Sequence, residues 1–441
     1  MLDLFLTAYD PSDLPGGSVD PLGFERGYLF LADKILPGLT NVAGRPRYFA
    51  LLCAGIFLNQ DDEALPPREL IKRRQDTLLR LERFWALANV LAADSGDSGG
   101  VRGVTYARSK VEEITRSGFA RVDARYPLLS RQVQYGAIGM YGSVADGMRY
   151  LNRETFTLTA DLGEVAAEAF LDETEFPPSL KAAVLEDKDV SVSTLRTWGE
   201  RSHVEAEVGP KESKCLHDAL HSNPTRSRMA ALLKRHPFKN GESELDRLGR
   251  IQRVVDSEAE SQDLSEALRC ILAYEECYRL ALLGLERLLW LCRRPEYAAT
   301  VSLGDLQADP VIKLVSSDLP AAVGRLLQSL DQGGTEPFRR DLDRLQDVRL
   351  FLELAAAKAD DSRDFILEVM KRHTDVQRGK FDRGRRKMPW LEVNEGKVCL
   401  TMTRAGGLHF EASKPDDLAP HPYRLRAADA MIAASAKGAI R

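Results

Sequence analysis

The chain has 441 residues, of which 44% are hydrophobic and 29% are charged, and its formal net charge is -5. This balance excludes a disordered or fibrous chain, and the length favours two or three packed units over a single core. The small net charge implies no partner by itself, because a partner meets local patches rather than the total charge.

Cysteine usage and hydropathy indicate the compartment. The six cysteines form no CxxC pair and several lie in apolar helical stretches, which is typical of reduced core thiols in a cytoplasmic protein. Residues 1–9 lack both a basic leader and a full apolar signal segment. The most apolar stretch, residues 271–292, is interrupted by five charged side chains, so we expect a core helix there and no membrane partner.

Hydrophobic residues recur mostly three and four positions apart, which predicts a mainly α fold. The longest predicted helices should pack their apolar faces together as a multi-segment helical bundle. In chain order we expect an N-terminal helical unit, a helical unit with winged-helix-like character, a polar helical insertion, the main bundle, and a basic segment with a β-hairpin and a terminal helix. The corresponding segments are residues 1–94, 101–175, 176–240, 241–376 and 377–441.

Two stretches depart from the helical pattern. Residues 155–159, followed by a helix that Thr159 is placed to cap, resemble the strand and closing helix of winged-helix domains. The alternative is a helical hairpin with a short β connection. Residues 390–402 alternate in polarity around a glycine turn, which predicts a small C-terminal β-hairpin. It should pack on the bundle or on a third strand at residues 408–411, ahead of a last helix at residues 424–436.

Cys215, His217 and His221 are the first candidates for metal chemistry, because histidines four positions apart share a helix face. The general-base glutamate of an HExxH motif is missing, since residue 218 is Asp, and no second ligand pair follows at zinc-finger spacing. We therefore expect a polar surface helix, with neither a metal site nor a cofactor.

Other catalytic patterns are missing or incomplete. Gly136, Gly139 and Gly142 form a glycine-rich stretch, but it lacks the lysine and the hydroxyl residue of a phosphate loop. These glycines fit close helix contact or a turn between two helices. No GxSxG nucleophile elbow occurs, and acidic residues such as Glu275 and Glu276 read as a solvated helix face. The sequence therefore favours a non-enzymatic protein and assigns no catalytic residue.

The strongest local signal is a basic run that passes Phe381 and is opposed only by Asp375 and Asp382. The candidate binding residues are Lys371, Arg372, Arg378, Lys380, Arg383, Arg385, Arg386, Lys387 and Trp390. Such a cluster could neutralise phosphates and stack on an exposed base, dock an acidic protein surface, or form a solvated loop. A second basic stretch would strengthen the nucleic-acid interpretation if it shared a face with the first. It comprises Arg226, Arg228, Lys234, Arg235, His236 and Lys239.

Residues 36–40 (LPGLT) and 45–49 (RPRYF) resemble the opening of uncharacterised helical proteins encoded in bacterial defence islands, and residues 372–380 leading to Trp390 are similar in character. The resemblance implies a multi-gene anti-phage setting. We therefore expect a non-enzymatic subunit that binds nucleic acid or bridges other protein subunits in a bacterial defence complex. The alternatives are a metal-dependent nuclease whose site is assembled from residues distant in sequence, and a purely structural helical scaffold.

Overall fold

The computed structural model describes residues 20–59, 65–93, 100–257, 262–297, 299–332, 342–382, 385–401 and 412–436. This part of the chain is mainly helical with short antiparallel strand pairs, which confirms the expected fold class at that level. The chain divides into two compact units that each combine separate stretches of sequence. Of the described residues, unit 1 holds those within Leu36–Pro237 and from Arg424 onward, and unit 2 holds those up to Ile35 and within Phe238–Tyr423. The five-segment division drawn from composition stays a prediction.

The described helices are α1 (Glu25–Ile35), α2 (Arg47–Phe57), α3 (Pro67–Ala92), α4 (Val104–Ser117), α5 (Gln132–Tyr135), α6 (Ala137–Gly147), α7 (Gly163–Glu173), α8 (Pro178–Glu186), α9 (Val192–Ser202), α10 (Pro210–His221), α11 (Pro224–Arg235), α12 (Glu244–Ser257), α13 (Gln262–Arg293), α14 (Leu303–Ala308), α15 (Pro310–Gln332), α16 (Gln346–Ala357), α17 (Ser362–Gly379) and α18 (Leu425–Ser435). The strands are β1 (Arg121–Val122), β2 (Leu151–Asn152), β3 (Thr157–Leu158), β4 (Val190–Ser191), β5 (Thr300–Ser302), β6 (Phe381–Asp382), β7 (Arg385–Arg386), β8 (Leu391–Asn394) and β9 (Lys397–Leu400). Short 3-10 helices lie at Asn41–Gly44, Pro295–Tyr297, Leu342–Leu345 and Pro415–Asp417.

Unit 1 is built around α3, a long amphipathic helix. Its buried positions include Leu78, Leu81 and Trp85, three and four residues apart, and they pack against α2, α4 and α9. The indole N–H of Trp85 donates a 2.6 Å hydrogen bond to the carbonyl of Ser202. Because Trp85 is fully buried, this bond satisfies a donor that would otherwise be costly to remove from water.

Of the glycine-rich stretch, Gly136 lies at the turn between α5 and α6, as one of the two sequence interpretations expected, whereas Gly139 and Gly142 lie within α6. Buried Glu82 accepts hydrogen bonds from the Ala137 backbone N–H at 2.7 Å and from Gln132 Nε2 at 2.8 Å. A Cβ atom at Gly136 would lie 2.6 Å from Glu82 Oε2, so the glycine makes room for the carboxylate. Burial raises the pKa of Glu82 to about 7, against the lowering effect of these hydrogen bonds.

The winged-helix-like unit is not confirmed. The predicted strand is present as β3, but among the described strands it pairs only with β2, and each of the two has two residues. The expected helix follows as α7, and the hydroxyl of Thr159 accepts a 3.1 Å hydrogen bond from the Gly163 backbone N–H. Within the described residues, this region therefore consists of helices joined by a short β connection.

Unit 2 is organised around α13, which packs against α12 and α15. The buried positions of α13 include Cys270, Cys277 and Cys292. All cysteines of the chain are free thiols and all except Cys399 are buried, which confirms the core-thiol prediction for those. None of the described helices combines the length and the apolar character needed to cross a membrane.

The predicted C-terminal hairpin is confirmed as β8 and β9, which join β5 in a three-stranded antiparallel sheet of order β5-β9-β8. Glu395 and Gly396 form the turn, with φ of 50° and 76°. Two successive positive φ values are typical of the tight hairpin turn that matches strand twist. The third strand is therefore β5, and the stretch predicted for this role, residues 408–411, lies outside the described residues. The last helix is confirmed as α18.

Candidate nucleic-acid interface

The first part of the basic run lies on α17. Asp361 caps this helix, because its Oδ1 accepts a 2.8 Å hydrogen bond from the backbone N–H of Arg363. Lys371 and Arg378 are both exposed, and seven residues are about two helical turns, so they share the outer face. The helix therefore presents two of the candidate cations to solvent.

Arg372 faces inward, so its prediction as a surface binding residue is wrong and its role is structural. Its Nε donates a 2.8 Å hydrogen bond to the carbonyl of Leu22, and its Nη2 lies 2.7 Å from Asp347 Oδ2. The Arg372 guanidinium lowers the pKa of the Asp347 carboxyl. A Cβ atom at Gly23 would lie 2.7 Å from Arg372 Nη2, so the loop before α1 also depends on this packing.

Trp390 also faces inward, so the expectation that it stacks on a base is wrong. Only 5% of its surface is exposed, and its backbone N–H donates a 2.9 Å hydrogen bond to His373 Nε2. With Nε2 as acceptor, His373 Nδ1 carries the proton and donates to the Pro21 carbonyl at 3.1 Å. Burial lowers the pKa of His373 to about 4. Lys380 is partly withdrawn as well, since its Nζ donates to the Asp20 carbonyl.

The rest of the run forms a short antiparallel strand pair, which we call the basic ribbon (residues 380–382 and 385–388). Its strands β6 and β7 pair antiparallel, with Phe381 opposite Arg386. A 2.9 Å hydrogen bond from the Lys387 backbone N–H to the Lys380 carbonyl extends this pairing. Strand β7 contacts α17, so the ribbon is held beside the helix that carries the other exposed cations. One interpretation of the sequence was a solvated loop, whereas the structure has paired strands here.

The ribbon exposes both charge and apolar surface. Phe381 is 57% exposed and Met388 is 58% exposed, and Arg385 and Arg386 are exposed as well. The guanidinium carbon of Arg386 lies 5.9 Å from the centre of the Phe381 ring. Arg383 lies outside the described residues. Met388 is an exposed residue that the basic pattern of the sequence does not indicate, because that pattern is one of charge.

Five of the candidate cations are available at this surface. Among the described residues, no carboxylate forms an ion pair with Lys371, Arg378, Arg385, Arg386 or Lys387. Unpaired exposed cations beside an exposed aromatic ring can contact phosphates and stack on a base. The structure thus keeps part of the predicted set together and removes Arg372 and Trp390 from it.

The second basic stretch is divided by burial. Arg226 is 1% exposed and donates to the Ala219 carbonyl at 2.6 Å, so it is not a surface cation. Arg228 and Lys234 are exposed on α11. This helix belongs to unit 1, whereas the basic ribbon belongs to unit 2.

The metal candidates on α10 are only partly brought together. The rings of His217 and His221 are 4.4 Å apart, which confirms their shared helix face. Cys215 is buried, and burial raises its pKa to about 11, so the thiol stays protonated at neutral pH. His221 Nδ1 instead hydrogen-bonds the hydroxyl of Ser227 at 2.7 Å. The described residues contain no group of three or more His, Cys, Asp or Glu side chains arranged for a metal ion.

No protein-family model, curated protein or solved structure matches the chain. The functional interpretation therefore depends on the contacts, burial and charge of the residues themselves.

Proposed function

We propose that the protein is a non-enzymatic subunit that binds single-stranded nucleic acid through the basic ribbon and the outer face of α17. The observation that carries this proposal is the exposure of Phe381 at 57%, with Arg386 over its ring and further unpaired cations around it. The Phe381 ring thus offers a stacking position beside cations, the combination that proteins use to bind single strands. A stacked base would cover it.

Two terms contribute to such binding. The exposed cations release counterions from the phosphates they neutralise, which gives affinity without sequence preference. Stacking of one base on Phe381 adds roughly 1–3 kcal/mol, and the Arg386 guanidinium can support the same base through its planar face. Paired bases inside a duplex are already stacked, so a single exposed ring favours a single strand.

The size of the ribbon favours nucleic acid over an acidic protein surface. A stable protein interface buries about 800 Å² on each partner. The strands β6 and β7 have two residues each, and a ribbon so short offers much less. A nucleic-acid strand needs only a few phosphate contacts and one stacking position.

A partner-bridging role is the second candidate, and a different surface favours it. Leu350 and Leu354 lie one turn apart on α16 and are 52% and 38% exposed. An exposed apolar pair on a helix is a typical contact for another protein. Membership of a bacterial defence complex follows only from the sequence resemblance. Co-purification with the products of neighbouring genes, and its loss in Leu350→Ser/Leu354→Ser, would test this role.

Fluorescence anisotropy with a labelled 20-nucleotide strand and its duplex tests the nucleic-acid role. We expect the single strand to bind more tightly, and Phe381→Ala to weaken single-strand binding by about tenfold, as loss of one stacked base implies. Equal affinity for the duplex with no effect of Phe381→Ala would refute the stacking step. Cleavage of the strand in the presence of Mg²⁺ or Mn²⁺ would favour the nuclease alternative.

A further inference from the structure

A cavity of about 590 Å³ lies among helices α12, α13 and α15 of unit 2. This volume is within the range of small-molecule sites. Leu272 and Ala273 give the wall an apolar part, and the side chains of Gln252, Gln328 and Ser329 give it hydrogen-bonding groups. The cavity shares no lining residue with the basic ribbon.

Within the described residues, the charged side chains of this wall are paired, with one exception. Arg325 makes two hydrogen bonds to Glu276, at 3.0 and 2.6 Å. Arg269 lies 2.7 Å from Asp256 and is neutralised by it. These two pairs leave no net charge, so the carboxylate of Glu266 is the unbalanced charge of the wall.

Glu266 is buried, and no cation among the described residues forms an ion pair with it. Its surface is only 7% exposed, and its Oε1 accepts a 3.1 Å hydrogen bond from Gln262 Nε2. Its Oε2 is buried and has no hydrogen-bond partner in the part of the chain that the structure describes. A buried carboxylate with an unsatisfied oxygen is costly, and a positively charged hydrogen-bond donor in the cavity would relieve the cost. The terminal torsion of a glutamate is soft, so this oxygen can turn toward a ligand.

We propose that this cavity binds a small organic monocation, an ammonium or guanidinium group on a short apolar stem. The cationic head would pair with Glu266, while the stem would lie on Leu272 and Ala273. A monocation is the class that balances the single unpaired charge. A neutral ligand would leave Glu266 unpaired, and an anion would be repelled by it.

Isothermal titration calorimetry on the full chain tests this site with 2-phenylethylammonium as probe and 2-phenylethanol as its neutral counterpart. We expect the ammonium probe to bind at least about tenfold more tightly than the alcohol, as a charge-assisted hydrogen bond implies. Glu266→Gln should remove that preference. Glu112→Gln is the matched control, because it changes the net charge equally at an exposed position on α4 and should have no effect.

Ser329→Leu provides a second variant that obstructs the cavity and keeps every charge. It should weaken both probes, and circular dichroism would show that either variant remains folded. Three results would overturn the proposal: equal binding of the alcohol and the ammonium, unchanged ammonium binding in Glu266→Gln, or no ammonium binding at concentrations up to about 10 mM. The outcome does not depend on whether the protein binds nucleic acid.

Discussion

Replacing Arg226 by methionine is expected to destabilise unit 1 by about 3 kcal/mol or more. The guanidinium is buried and ties together backbone groups from separate segments. It donates to the carbonyls of Leu220 at 3.0 Å, Pro37 at 2.6 Å and Ala219 at 2.6 Å, and to the Ser222 hydroxyl at 2.8 Å. Each buried carbonyl left without a donor costs about 1–3 kcal/mol. Burial lowers the pKa of Arg226 to about 10, so removing the desolvated cation offsets part of this loss.

Hydrogen-exchange mass spectrometry in increasing urea measures this effect, because it reports the unfolding free energy of α10 and α11 separately from unit 2. Arg228→Met is the matched control: it is the same change two residues along the same helix, at an exposed position. We expect it to change stability by less than about 0.5 kcal/mol. Equal effects of the two substitutions would refute the structural role of Arg226 and restore it as a surface cation.

Four further substitutions test local packing and pH dependence. Gly139→Ala should destabilise unit 1, because its Cβ would lie 2.0 Å from the Gln134 carbonyl oxygen, whereas Gly142→Ala meets nothing within 4 Å and should be neutral or stabilising in thermal unfolding. The pKa of His373 is lowered from 6.5 to about 4, so between these values the unfolded chain binds more protons than the folded one. The unfolding free energy of unit 2 should therefore fall by up to about 3 kcal/mol as pH falls through this interval. Urea titrations of His373→Gln should not show this loss. The pKa of Glu82 is raised from 4.5 to about 7, so its contribution to stability has the opposite sign. The contribution is present below pH 4.5 and is lost, by up to about 3 kcal/mol, as pH rises through 7. An identical pH profile of unit 1 in Glu82→Gln would contradict this.

Local sequence patterns predict the long helices and the C-terminal hairpin because the information lies within a few residues. The apolar periodicity of α3 and the Glu395-Gly396 turn are examples. The third strand of that sheet could not be predicted in this way. Strand β5 pairs Thr300 with Cys399 of β9, and neither strand has a local pattern that identifies its partner. Sheet partners this distant in sequence follow from tertiary packing rather than from local propensity.

The candidate site shows the same limit. A run of basic residues predicts a positively charged region. It does not distinguish a solvated arginine from one that donates to backbone carbonyls distant in sequence. Arg372 is buried and donates a hydrogen bond to the carbonyl of Leu22, which is 350 positions away in the chain. The Glu266 cavity has no local signal either, because its unbalanced charge becomes visible only after the ion pairs of three helices are known.

The salt dependence of single-strand binding tests the central claim most directly. The four exposed cations and the half-buried Lys387 predict a slope of log affinity against log salt concentration of about -3.5, at roughly 0.7 for each phosphate neutralised. Arg385→Ala/Arg386→Ala should reduce the slope to about -2, by the same rule, while the exposed pair Arg116→Ala/Arg196→Ala should leave it unchanged. A slope near zero, or equal slopes in the two double variants, would contradict binding at the basic ribbon.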